Sequence, residues 1–201
     1  QDYIEKVKKI TSPSFQQIRK IANSEISNLP DKEKKELFGR LERGVALLDS
    51  HKVMCQYLRS YGNMHEAKIQ DAVKHLPKEI FENDFEIVDW GCGQGIGTVC
   101  FFDYLKKEGF NINVEKVTLI EPSELALNMA NLHIESYLGD EGKVHSIKKF
   151  LDEVVVDDLK SESGLPRIHF FSNILDIPQI DLKELSQKVN STILNDNYIV
   201  C

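Results

Sequence analysis

Between a short β-prone run carrying Phe85, Ile87 and Val88 and an apolar-periodic stretch from Ile96 to Glu108, the chain places Asp89-Trp90-Gly91-Cys92-Gly93-Gln94-Gly95. Glycines at three alternate positions let the backbone take positive φ and let a bound molecule approach it, because any Cβ would hold that molecule away. A strand that ends in such a turn and feeds a helix is the opening unit of an open parallel sheet. In such sheets ligands sit beyond the carboxyl ends of the strands, and the helix that follows directs the positive end of its dipole to the same place.

Downstream, strand-like and helix-like segments alternate. Strands are expected at Val114 to Ile120, Val144 to Ile147, Ile168 to Ser172 and Tyr198 to Cys201. Helices are expected at Ile96 to Glu108, Ser123 to Leu138, Phe150 to Leu159 and Asp181 to Thr192. Alternation of this kind predicts an α/β fold in which right-handed crossovers place helices on both faces of a parallel sheet. Residues 83–201 are therefore expected to form a Rossmann-like open parallel sheet. Its last strand pattern coincides with the end of the chain and would leave an apolar edge, which proteins generally avoid. The expectation is a further domain or a partner that completes the sheet after Cys201.

Residues 1–82 form a separate, all-helical region. Ser12 before Pro13 reads as a helix start, with Phe15, Ile18, Ile21 and Ala22 on one face. From Asp31 the apolar residues Leu37, Leu41, Val45, Leu48, Val53, Tyr57 and Leu58 recur at three- and four-residue steps and predict one long amphipathic helix, bent at Gly44 and ended by Gly62. A further helix from Met64 to His75 leads to Pro77. This region is expected to act as a lid or an acceptor-recognition surface.

Composition narrows the function classes. No apolar run approaches the ~20 residues of a membrane span, so no membrane partner is expected. Four cysteines without CxxC spacing point to free thiols in a reducing compartment, with a cytoplasmic location as the expectation. A net charge of -7 gives no long-range attraction to nucleic acid, and the lysines at 32, 34 and 35 alternate with acids as a solvated helix face does. The histidines show no metal-ligand spacing, and no metal site is expected.

The glycine spacing separates two cofactor classes. A dinucleotide site expects G-x-G-x-x-G, which would need glycine at Ile96 or Thr98. The pattern is instead D-x-G-x-G-x-G. An acid at Asp89 suits a cationic ligand bearing an ammonium and a sulfonium, and would repel a pyrophosphate. Glu121, at the end of the next strand, can accept hydrogen bonds from both ribose hydroxyls of an adenosine.

Ile87 to Thr98 together with Leu119-Ile120-Glu121-Pro122 resembles motif I and the acid that follows it in the class I S-adenosylmethionine-dependent methyltransferases. The resemblance covers residues 85 to 201. It implies the cofactor S-adenosyl-L-methionine, direct in-line methyl transfer, and a sheet of seven strands whose C-terminal members this chain lacks. It implies that Asp89, Gly91, Cys92, Gly93 and Gly95 hold the methionine portion and Glu121 the ribose, with Pro122 and Ser123 beside the adenosine. The segment after the third strand departs from the family pattern in carrying Lys148, Lys149 and Phe150, which leaves Phe150 as the candidate to stack on adenine. After the fourth strand only Asn173 matches the motif of amino-methylating members.

Methyl transfer asks the protein chiefly to hold the acceptor in line, and for a base only where the acceptor carries a proton of high pKa. Asn173 is the first candidate for orienting the acceptor, with capping of the next turn as its alternative. Tyr61 and His65 lie on the helical link before the sheet, where a lid would originate, and His65 is the candidate base or a packing residue. The acceptor class stays open between small molecule, protein and RNA. The competing function is a non-catalytic S-adenosylmethionine-binding or regulatory module of a larger protein.

Overall fold

The computed structural model describes residues 3–42, 47–139, 141–161, 163–172, 174–175, 180–191 and 196–201. Its helices are α1 (Tyr3–Lys8), α2 (Phe15–Ser27), α3 (Asp31–Gly39), α4 (His51–Val73), α5 (Ile96–Glu108), α6 (Glu124–Leu138) and α7 (Leu182–Ser191). Its strands are β1 (Phe85–Trp90), β2 (Val114–Ile120), β3 (Val144–Ile147), β4 (Arg167–Phe170) and β5 (Asn197–Val200).

The five strands form one sheet in the order β3-β2-β1-β4-β5, and each neighbouring pair runs parallel. This is the Rossmann-like order, in which successive strands move outward first on one side of β1 and then on the other. All six residues of β1 are buried, as a central strand covered on both faces must be. Alternate side chains divide between two cores. Phe85 and Ile87 join a cluster with Val117, Leu119, Ile168 and Phe170 beneath α5 and α6. Val88 and Trp90 face the other way, toward Ile147, Phe171 and the α7 residues Leu185 and Val189.

The helical region shares the first of these cores. Tyr3, Val7, Phe15, Ile18, Leu58 and Val73 are contiguous with Phe101, Phe102 and Ile134 of α5 and α6. Polar tethers fix the contact: Asp103 accepts the Phe15 amide at 2.7 Å and the Tyr137 hydroxyl at 2.8 Å, and Lys106 donates to the Pro13 carbonyl at 3.0 Å. At the opposite end of β1 from the glycine turn, Glu86 pairs with Arg167 at 2.8 Å. Burial alone would raise the Glu86 carboxyl, but hydrogen bonds from Ser161, Arg167 and Ser163 hold it below its ordinary value.

Four local expectations are corrected. The cap of α2 is Ser14, whose extended backbone and hydroxyl receive the Gln17 amide, and Ser12 lies upstream of it. The long helix expected from Asp31 is two helices: α3 ends at Gly39, and Ser50, extended at φ −151, caps a new one. Gly44 and Val45 lie outside the described residues. Gly62 ends nothing, because α4 runs through it to Val73. A Cβ there would stand 2.9 Å from Arg19 Cδ and 3.1 Å from Phe15 Cζ, so this glycine lets α2 approach α4.

The segment expected to be helical at Phe150 to Leu159 makes two 3-10 turns, Leu151–Glu153 and Val156–Leu159. Three consecutive valines, poor helix formers, occupy its middle. Asp158 then anchors the second turn by accepting the Val155 amide at 2.9 Å and pairing with Lys149 at 2.6 Å.

Candidate functional site

β1 and β2 end side by side, with Asp89 opposite Leu119 and Trp90 opposite Ile120. The chain then turns through Gly91, Gly93 and Gly95 at φ +58, +51 and +72, and the turn closes with the Gly95 amide donating to the Cys92 carbonyl at 2.8 Å. The three glycines are required for different reasons. A Cβ on Gly91 would meet Ile174 Cγ2 at 2.9 Å, and one on Gly95 would meet Ile134 Cδ1 at 3.1 Å and Ala130 Cβ at 3.2 Å. Around the Cβ position of Gly93 nothing lies within 4 Å. The outer glycines therefore admit neighbouring protein, whereas the middle one borders open space.

Asp89 is fully buried. Its Oδ2 accepts the Thr98 hydroxyl at 2.7 Å, while Oδ1 has no hydrogen-bond partner. Burial pushes the carboxyl up to about 7, against the Thr98 hydrogen bonds that lower it, and repulsion from Glu121 adds to the rise. An orphaned, desolvated carboxylate oxygen at a strand end has the properties of a receptor for a cation. Thr98 was not singled out as a site residue from sequence, yet it occupies one of the two positions whose lack of glycine breaks the dinucleotide pattern. The side chain that departs from that pattern is the donor to Asp89.

Glu121 caps the glycine turn from the neighbouring strand. Its Oε2 accepts the Gly93 amide and its Oε1 the Ser123 amide, both at 3.0 Å. Burial raises its pKa, partly offset by those two amides. A carboxylate accepts about four hydrogen bonds, so two acceptor positions remain for hydroxyls. Ser123 caps α6 by accepting the Ala126 amide at 3.2 Å and donates its own proton to the Leu48 carbonyl at 2.6 Å. Pro122 between them is half-buried. Cys92 is buried, its thiol pushed well above its ordinary value by burial first and then by the two carboxylates, so it is a neutral packing group.

The helical region contacts this turn. Gln94 donates through Nε2 to the Met54 carbonyl of α4 at 3.1 Å. Farther along α4, the Tyr57 hydroxyl meets His65 Nε2 at 2.9 Å and the two rings stack at 5.5 Å. Burial is the chief cause of the raised Tyr57 pKa, and the charge of Glu121 contributes. Tyr61 packs edge-on against Tyr57 and, with its ring tilted, against the exposed Phe38. Burial, with the Lys68 charge second, lowers His65 to about 4, so it is a neutral imidazole at pH 7.

Other expected residues lie elsewhere. Phe150 is exposed, on the segment after β3, with its amide bound to Glu153 at 2.9 Å. Asn173 lies outside the described residues. Trp90 is wholly buried beneath the turn, stacked on Phe171 and donating to His169 Nδ1 at 3.1 Å. Tyr57, Gln94 and His133 belong to the neighbourhood of the turn without having been singled out as site residues from sequence. The last two sit at helical or turn positions that only the packing of distant segments brings into play. Among the described residues no cluster of three histidine, cysteine or carboxylate side chains is placed to hold a metal, and no helix is long and apolar enough to cross a membrane.

No family model and no curated protein matches the chain in sequence. Solved structures do resemble it. A SAM-dependent methyltransferase of Leishmania major aligns at 12% identity and a TM-score of 0.47, over 91% of this chain and 68% of that one. The magnesium protoporphyrin IX methyltransferase of Synechocystis PCC 6803, solved with bound SAM, aligns at 15% and 0.43, over 79% and 65%. The geranyl diphosphate C-methyltransferase of Streptomyces coelicolor A3(2), in complex with Mg2+, geranyl diphosphate and S-adenosyl-L-homocysteine, aligns at 13% and 0.43, over 81% and 60%. This chain thus spans between 60% and 68% of the length of these three proteins.

Proposed function

We propose that the chain binds S-adenosyl-L-methionine beyond the ends of β1 and β2 and transfers its methyl group to an acceptor. The observation that carries this reading is the pair of buried carboxylates, Asp89 with an unpartnered oxygen and Glu121 with spare acceptor capacity, flanking a glycine that borders open space. Asp89 supplies negative charge for the cationic methionine portion, Gly93 the close backbone approach, and Glu121 acceptors for ribose hydroxyls. When bound, the cofactor supplies an electrophilic methyl group on its sulfonium.

A pyrophosphate-bearing dinucleotide fits poorly, because two buried acids would repel it. Tyr57, Tyr61 and His65, spaced four residues apart on one face of α4, are the candidates for meeting the acceptor. A neutral His65 already engaged by Tyr57 suits orienting an acceptor better than removing a proton of high pKa. The acceptor class, whether small molecule, protein or RNA, is a matter for direct assay.

Calorimetric titration with S-adenosylmethionine and S-adenosylhomocysteine tests the site. Asp89→Asn and Glu121→Gln are expected to weaken binding about 10- to 100-fold, the range for hydrogen bonds to charged groups. Unchanged affinity in both variants would remove the assignment. Binding without turnover against broad acceptor pools would identify a regulatory binding module instead.

A further inference from the structure

Gln94 lies between Gly93 and Gly95 at the apex of the turn, is 2% exposed, and is gripped from two directions. Its side chain donates to the Met54 carbonyl of α4 at 3.1 Å. Its carbonyl lies 2.9 Å from His133 Nδ1 of α6, whose Nε2 in turn lies 2.9 Å from the Tyr3 hydroxyl of α1. A carbonyl only accepts, so Nδ1 carries the imidazole proton, and Nε2 is left to accept from Tyr3. Tyr3 and His133 are buried to 3% and 1% exposure, and their rings meet edge to face at 6.0 Å. The result is a single directed chain of hydrogen bonds from a helix at the start of the sequence to the backbone of the cofactor turn.

From this relay we infer that Tyr3 and His133 are positioning residues for the cofactor turn, setting the Gln94 carbonyl and coupling the docking of α1 to cofactor binding. The inference rests on the cofactor reading for its ligand but not for its geometry. The turn peptide that carries the Gln94 carbonyl also carries the Gly95 amide, and the preceding peptide ends in the Gln94 amide. With its carbonyl held by His133 and its Gly95 amide donating to the Cys92 carbonyl, the peptide plane between Gln94 and Gly95 is fixed at both polar atoms. Coupling between two sites is reciprocal: whatever fixes the turn tightens α1, and a docked α1 preorganises the turn.

Three variants separate positioning from bulk stability. Tyr3→Phe keeps the ring and removes the hydroxyl. His133→Asn keeps an amide donor near the Nδ1 position. His133→Leu removes both polar atoms at a similar volume. Amide hydrogen exchange of residues 92–96 in the ligand-free protein reads the turn directly. Exchange is expected to rise in Tyr3→Phe, to rise most in His133→Leu, and to return toward wild type in His133→Asn. Affinity for S-adenosylhomocysteine is expected to fall about 3- to 10-fold in Tyr3→Phe, the range for one hydrogen bond, and further in His133→Leu. Cofactor binding to the wild type should also slow exchange across residues 3–8.

Turn exchange at the wild-type level in both Tyr3→Phe and His133→Leu, with only the melting temperature lowered, overturns the inference and leaves the relay as packing. If the wild-type chain binds neither cofactor form, the cofactor reading fails. Exchange in the ligand-free variants still decides whether the relay positions the turn.

Discussion

The Thr98 hydroxyl donates to Oδ2 of Asp89 at 2.7 Å while Oδ1 of the same buried carboxylate has no partner. A helix side chain thus engages one oxygen of the strand-end acid and leaves the other without a partner. Burial pushes Asp89 up to about 7 against the side-chain and backbone hydrogen bonds of Thr98, and the hydroxyl is the one of these that a substitution removes. Thr98→Val is expected to raise the Asp89 pKa further and to weaken S-adenosylmethionine binding about 5-fold at pH 7. The defect should shrink at pH 9, where the carboxyl ionises regardless. Titrations at the two pH values check this, and equal defects at both would mean that Thr98 does not act through Asp89.

Asp89 also makes the ligand-free protein sensitive to alkali. Its folded pKa of about 7 lies above the ordinary 3.8, so between those values the folded state holds a proton that the unfolded state has released. Stability from this group is complete below about pH 4 and is lost as pH rises through about 7. Asp89→Asn is expected to abolish this component. The melting-temperature difference between variant and wild type should therefore move in the variant's favour from pH 5 to pH 8, by roughly 2–4 °C per kcal/mol. A constant difference across that interval contradicts the prediction.

On the acid side the sign reverses. His65, His133 and His169 are each pushed down to about 4, chiefly by burial. Their contribution is present above the ordinary 6.5 and lost as pH falls through about 4. Trp90, the single tryptophan, hydrogen-bonds His169 and is a built-in fluorescence reporter of this transition. His169→Gln should flatten the decline in stability between pH 6.5 and 4.5, and an unaltered slope would show that His169 takes no part in it.

Gly93 and Gly91 should respond differently to alanine. Both stand at positive φ, a strain of about 1–2 kcal/mol for an L side chain, but only Gly91→Ala also drives a methyl to 2.9 Å from Ile174. Gly91→Ala is expected to lower the melting temperature more than Gly93→Ala. Gly93→Ala should stay folded and lose cofactor affinity, because its methyl enters the open space. Thermal melts with and without S-adenosylhomocysteine distinguish the two.

The sheet and the two acids at its strand ends were legible because they follow from local pattern. A β-prone run, a glycine turn and an acid at the next strand end fall at fixed spacings, and β1, β2 and Glu121 sit where those spacings put them. What sequence misassigned depends on distant partners. Gly62 has the composition of a helix end and is instead a contact point for Phe15 and Arg19 of α2. Phe150 to Leu159 has helical periodicity, but consecutive valines and the Asp158 anchor resolve it into turns. The contacts of Gln94, Tyr57 and His133 carried no local signal, since their partners lie between 8 and 130 positions away.

Those separations also bear on how the chain is made. Synthesis delivers Tyr3 and Phe15 long before His133 and Asp103, their partners 130 and 88 positions later. α2 finds its main partner, α4, early, but until α6 leaves the ribosome the α1 face that carries Tyr3 lacks His133. α1 thus waits for its α6 partner through more than half of the chain, an interval in which a nascent polypeptide is most exposed to aggregation and most dependent on chaperones.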